Sequence, residues 1–292
     1  MQIKTALITA AGFGTRFLPI TKTIQKEMLP IMDRPLIDYV VEDLVKAGVE
    51  KIIFIISEHN MQLIHYFREN QRLYSYLEEM GKLEQYEKVK YIHEQAEFVF
   101  IRQPDSALYG TATPVLLAED ELKDEPAFFV FMGDDFIYQP GEGSAAKQMA
   151  EVFEKSEADG LVTCIEKPDS ELSKYGVAKL KSQNGFQFLA TLIEKPAPGT
   201  APSNLANISK YIFKPNVFEI LKHQKPDPKS GELYITDTAT LLAQDHQVVV
   251  YKPAEEYLDG GNPLGWLKAN LTVAFQDPKI KQEIGQFLHQ LG

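Results

Sequence analysis

The sequence predicts an α/β fold built on a central mixed, mostly parallel sheet. Two observations carry that expectation. In the first half, apolar strand-like runs alternate with segments of helical period, and two of those runs end abruptly at glycine turns. After about residue 160 the strand-like runs follow one another in quick succession before helical patterns return.

The elements can be taken in order. Residues 4–9 read as a short buried strand that ends in the turn Gly12-Phe13-Gly14. Pro35 stands where a first helical residue belongs. Leu36, Tyr39, Val40 and Leu44 then recur at helical spacing until Gly48 stops the helix. Lys51–Ser57 is a second apolar strand, and Phe128–Met132 another, closed by Gly133-Asp134-Asp135. Such alternation implies parallel strands with right-handed crossovers and a site at their carboxyl ends, where both glycine turns lie. Residues 61–90, rich in Glu, Lys and Tyr, read as a polar helical insertion. Strands are expected over 160–165, 177–181, 186–193 and 208–213, with Gln183-Asn184-Gly185 as a hairpin turn. Helices are expected at Val217–His223, 235–244 and 263–275. No Gly-, Ser- or Pro-rich linker divides the chain, so residues 1–292 read as one domain.

Composition narrows the function. A chain of 292 residues with 44% hydrophobic content has ample material for a core. Its net charge of -11 argues against binding a nucleic-acid backbone, so anionic small substrates need local cations and amides. No apolar run approaches the roughly 20 residues of a membrane span, and no signal peptide is evident. The expectation is a cytoplasmic protein. The single cysteine, Cys164, lies in the run Leu161-Val162-Thr163-Cys164-Ile165 and reads as a small core residue.

The first glycine turn is the richest motif. Ala11, Gly12, Gly14 and Thr15 offer backbone amides, with Arg16, Lys22 and Lys26 close behind, which suits a polyphosphate. It is not a dinucleotide fingerprint, because the third glycine would fall at Phe17, and no Gly-Lys-Ser/Thr completes a Walker loop. Six scattered histidines show no metal-ligand spacing.

Ala10-Ala11-Gly12-x-Gly14-Thr15-Arg16 with Lys26-Glu27-Met28-Leu29-Pro30 resembles the signature of the sugar-1-phosphate nucleotidylyltransferases. Further segments fall in that family's order: Pro35-Leu36-Ile37-Asp38-Tyr39, Arg102-Gln103, Gly133-Asp134-Asp135, Tyr175-Gly176-Val177, Ile193-Glu194-Lys195-Pro196 and Gly231-Glu232-Leu233-Tyr234-Ile235-Thr236-Asp237. The 61–90 insertion and the closing Tyr257-Leu258-Asp259-Gly260-Gly261-Asn262 look like the bacterial members that use UTP and glucose 1-phosphate. The likeness covers essentially the whole chain.

What the resemblance implies is a Rossmann-like three-layer α/β/α fold, with a nucleotide-binding half at about 1–135 and a sugar-binding half at about 136–292. A nucleoside triphosphate and a sugar 1-phosphate would give an NDP-sugar and pyrophosphate, with Mg²⁺ as cofactor. Asp134 and Asp259 would hold the metal, since Mg²⁺ takes one or two carboxylates plus phosphate oxygens. Arg16 and Lys26 would neutralise the β and γ phosphates, and Lys195 the sugar phosphate or the α-phosphate. Ala11, Gly12, Gly14, Thr15 and Gln103 are expected on the nucleotide, and Gly110 among the substrate-binding residues. Gly176 and Glu194 are expected on the sugar, and Asp135 on the sugar or orienting Asp134. A homodimer or homotetramer is implied, with the apolar stripe Ile280, Ile284, Phe287, Leu288 and Leu291 as a candidate contact.

One departure bears on specificity. Where these uridylyltransferases usually read Leu-Gly-Leu-Gly-His-Ala, the chain has Ala107-Leu108-Tyr109-Gly110-Thr111-Ala112. Gly-Thr-Ala occurs in relatives acting on N-acetylglucosamine 1-phosphate, so that sugar, or dTTP, stands as the alternative substrate. A non-catalytic NDP-sugar sensor is the reading from another class, and retention of Arg16, Lys26, Asp134, Lys195 and Asp259 together speaks against it.

Overall fold

The computed structural model describes residues 2–183 and 185–290. The named strands are β1 (Thr5–Ala10), β2 (Lys51–Ser57), β3 (Glu97–Gln103), β4 (Phe128–Met132), β5 (Asp135–Tyr138), β6 (Gly160–Glu166), β7 (Gly176–Gln183), β8 (Phe186–Glu194), β9 (Leu205–Phe213), β10 (Val248–Tyr251) and β11 (Glu256–Asp259). Nine of them form one continuous sheet, in the order β3-β2-β1-β4-β9-β6-β10-β8-β7. The pairings β1–β2, β1–β4, β2–β3 and β10–β6 are parallel. Only β9 and β8 run against the common direction, so the sheet is mixed and mostly parallel. A separate two-stranded ribbon pairs β5 with β11 and places Asp259 opposite Asp135.

Strand alternation splits the core into two layers, one on each face of the sheet. Ile8, Phe54, Phe129 and Phe131 pack toward α1 (Leu36–Lys46) and α2 (Ala145–Ser156). Leu7, Ile53, Ile55 and Phe128 pack toward α3 (Val217–His223) and α4 (Ile235–Asp245). The result is the expected three-layer arrangement. Cys164 is fully buried among these side chains, and burial pushes its thiol up to about 12.

Local differences from the sequence reading have local causes. Pro35 is the extended N-cap of α1 rather than its first helical residue, because its ψ is 147°. The 61–90 insertion is helical, and Tyr91 ties it back by donating to Asp38 Oδ2 at 3.1 Å. The 183–185 turn joins β7 to β8, whose register begins at Gln183 opposite Phe186, while Asn184 itself lies outside the described residues. α5 (Pro263–Ala274) leads to α6 (Pro278–Gln290), in which no residue is buried and Phe287 and Leu288 are exposed. Leu291, assigned to the same stripe, lies outside the described residues. Among those described, no helix is long and apolar enough to cross a membrane.

Candidate active site

The carboxyl end of β1 turns through Gly14, whose φ of +63° begins the helical turn Thr15–Phe17; Thr21 Oγ1 donates to the Gly14 carbonyl at 2.8 Å. Gln25 Nε2 then donates to the Ala10 carbonyl at 3.2 Å, which returns the chain to the strand end. This fold-back lays Lys26 over the glycine turn. A Cβ at Gly12 would stand 3.6 Å from Lys26 Nζ.

Lys26 Nζ donates to Asp134 Oδ2 at 2.5 Å and stands 3.7 Å from Glu27 Oε1. Burial works to lower the Lys26 ammonium, but the charges of Asp134 and Glu27 outweigh it and the net shift is upward. Burial likewise works to raise Asp134, yet Lys26 holds it below the usual carboxylate range. Glu27 is fully buried, neither of its carboxylate oxygens has a hydrogen-bond partner among the described residues, and burial pushes it up to about 7.

Asp259 closes on the same point from the far end of the chain. A Cβ at Gly261 would lie 2.6 Å from Asp134 Oδ2 and 3.1 Å from Asp259 Oδ1, so both carboxylates face one glycine-lined space. Gly261 N–H and the Asn262 amide each donate to Asp259 at 2.8 Å, and Arg16 Nη1 donates to the Gly261 carbonyl at 3.4 Å. Two carboxylates converging on one glycine are the kind of oxygen ligands that a hard divalent cation takes. Asp135 is turned elsewhere: its carboxylate bonds Lys210 and accepts the Tyr257 hydroxyl at 3.1 Å. Burial pushes Asp135 up to about 7 despite Lys210.

A second cluster gathers Gly176, Glu194 and Lys195. Gly176 pairs with Glu194 across β7 and β8, and a Cβ there would meet Glu194 Oε2 at 3.2 Å and Thr236 Cγ2 at 2.8 Å. Thr236 Oγ1 donates to Glu194 Oε2 at 3.0 Å. Lys195 has a left-handed φ of +43°; its ammonium lies 3.5 Å from Glu194 Oε1 and 5.4 Å from the Tyr234 ring centroid. Its N–H donates to the Tyr175 carbonyl at 3.0 Å. The Tyr175 hydroxyl is pushed up to about 12, first by burial and then by Asp259, and its carbonyl holds Lys195, so this residue links the two clusters.

Gly110 and Gln103 stand apart. Gly110 (φ +141°) packs against backbone, since a Cβ there would come within 2.2 Å of the Leu233 carbonyl oxygen. Beside it, Thr111 Oγ1 accepts the Ile235 N–H at 3.0 Å and so serves the first turn of α4. Gln103 ends β3, two strands from β1, with its Oε1 buried and unpartnered. Sequence reasoning passed over Glu27, Lys210, Tyr257 and Thr236 as site residues. Lys210 carried a visible signal: a lysine between Ile208 and Ile212 in a mostly apolar strand.

A basic loop folded over a glycine turn and facing paired aspartates is the equipment of a protein that handles nucleoside polyphosphates. Residues 5–275 match the family model described as nucleotidyl transferase, and the chain belongs to that family. Among its relatives, the UTP–glucose-1-phosphate uridylyltransferase of Staphylococcus haemolyticus is 37% identical over 292 residues, covering 100% of this chain and 99% of the relative. The Staphylococcus epidermidis protein of the same name is 35% identical, with 99% of each chain covered. A UDP-glucose pyrophosphorylase solved with UDP-glucose superposes with a TM-score of 0.82 at 34% identity, over 94% of this chain and 100% of that one. A UTP-bound UGPase from Acinetobacter baumannii gives 0.87 at 28% identity, over 99% and 100%.

Proposed function

We propose that this enzyme transfers a uridylyl group from UTP to α-D-glucose 1-phosphate, giving UDP-glucose and pyrophosphate. The observation that carries the proposal is Lys26 poised over Gly12 and paired with Asp134 beside Asp259. Arg16 and Lys26 neutralise the β and γ phosphates, while the amides of Ala11, Gly12, Gly14 and Thr15 cradle the nucleotide. The Gln103 amide, whose Oε1 is unpartnered among the described residues, suits the edge of a uracil ring. Glu194, steered by Thr236 and given room by Gly176, accepts from vicinal sugar hydroxyls. Lys195 meets the sugar phosphate. Attack is direct and in line, because the sugar phosphate is already an anionic nucleophile and needs no general base. Asp134 and Asp259 would hold Mg²⁺, which when bound supplies positive charge to the triphosphate oxygens.

In this reading one domain spans residues 1–292 in the cytoplasm, with a nucleotide half at about 1–135 and a sugar half at about 136–292. The uncovered stripe of α6 supports a homodimer or homotetramer. Thr111 keeps one alternative open, since a different side chain occupies the position of the usual histidine: N-acetylglucosamine 1-phosphate or dTTP in place of the favoured substrates. The test is pyrophosphate release from UTP, glucose 1-phosphate and Mg²⁺, with a chelator control and a panel of other triphosphates and sugar phosphates. Chelator-sensitive release with UDP-glucose as product is expected. Turnover confined to another pair refutes the assignment of substrates, and binding of UDP-glucose without any turnover leaves the sensor.

A further inference from the structure

The Asp134–Asp135 turn is anchored from behind by a device that the proposed chemistry does not use. In β9, Ser209 adopts a left-handed φ of +56°, and the pairing of β9 with β6 slips between Asn207 and Tyr211. Asn207 secures this bulge: its amide donates to the Thr163 carbonyl at 3.1 Å, and its oxygen accepts from the Ser209 N–H at 3.2 Å and the Tyr211 hydroxyl at 2.5 Å. A bulge re-aims the side chain that follows it, here Lys210. The Lys210 side chain is 1% exposed. Its ammonium bonds the Asp135 carboxylate, the Asp135 carbonyl at 3.0 Å and the Met132 carbonyl at 3.4 Å, and lies 4.9 Å from the Phe131 ring centroid.

We propose that Lys210 is a positioning residue for the metal-binding carboxylates: it clamps the 132–135 turn and ties up the Asp135 carboxylate, so that Asp134, not Asp135, converges with Asp259 on Gly261. The two neighbouring carboxylates are thereby given different tasks. Asp135 is committed to Lys210 and Tyr257, and Asp134 to the side of Lys26 and Gly261. A backbone residue held in a sparsely populated conformation and a buried lysine that reaches no substrate are both accounted for by this single task.

The inference rests on the metal assignment of the proposed function, and its test separates the two. Mn²⁺ binding in the presence of UTP alone is followed by electron paramagnetic resonance, which needs no turnover. Lys210→Met should weaken Mn²⁺ binding and kcat by about 10- to 100-fold, the usual effect of losing a group that orients a metal ligand, with a smaller change in KM for UTP. Lys210→Arg should recover most of both. If Lys210→Met does not fold, the neutral pair Lys210→Met with Asp135→Asn removes the unpaired buried charge and takes its place. A folded variant of either kind with Mn²⁺ affinity and kcat within about twofold of the parent, far short of that range, overturns the proposal. Failure of the parent to bind Mn²⁺ with UTP overturns it too. A parent that binds Mn²⁺ and UTP without transferring uridylyl instead defeats the proposed reaction and leaves the Lys210 effect measurable.

Discussion

Replacing Glu27 by Gln turns its unpartnered burial into a measurable pH dependence. In the folded protein its carboxyl rises from the ordinary 4.5 to about 7, chiefly through burial, with Lys26 pulling the other way. The folded state therefore holds a proton that the unfolded chain releases near 4.5. Stability from this group is complete below that value and is lost as pH rises through 7. From about pH 5.5 to about pH 8.5 the loss integrates to about 2 kcal/mol. Glutamine is close in shape and neutral throughout, so Glu27→Gln should escape it. Urea unfolding of parent and variant across that range gives the comparison, and the other titrating groups cancel between them to first order. The variant's advantage should widen by about 2 kcal/mol toward alkaline pH. A gap that stays flat with pH would refute the assignment of a raised carboxyl to this residue.

Three further outcomes are expected. Lys195→Ala should lower turnover by roughly 100-fold or more with unfolding unchanged, as the proposed role of its exposed ammonium on the sugar phosphate requires; near-parental turnover removes it from the mechanism. Gly261→Ala would set a methyl group 2.6 Å from Asp134 Oδ2, and turnover should fall by roughly 100-fold, with a higher Mg²⁺ requirement in titrations. Thr111→Val removes the acceptor for the Ile235 N–H and should cost about 1 kcal/mol of stability in urea, with kcat on the best substrate little altered.

Much of the architecture was legible because the early strands are continuous apolar runs. Residues 4–9 were expected as a strand and Thr5–Ala10 form it; 235–244 were expected as a helix and Ile235–Asp245 form it. The ribbon of β5 and β11 was not foreseen: each strand has only four residues, too short for periodicity to register, and each becomes a strand only by meeting the other. The same limit governs the site. Asp134, Lys26 and Gly12 sit in motifs whose spacing is local, so they could be found from the chain alone. Lys210 takes its task from a bulge in another strand, and Thr111 from a helix end about 120 residues away. Glu27 was overlooked within its own motif because exposure cannot be read from spacing. Its close fit depends on Gly133, where a Cβ would meet Glu27 Cγ at 3.1 Å.

The ribbon also sets a schedule. Asp134 immediately precedes one of its strands and Asp259 ends the other, about 125 residues apart along the chain. At typical rates of synthesis the ribosome needs on the order of ten seconds to travel from the first to the second. Throughout that interval the nascent N-terminal half has its glycine turn and Lys26 but only one of the two aspartates that face Gly261. The full carboxylate pair can therefore assemble only after that interval, once both strands of the ribbon have been made.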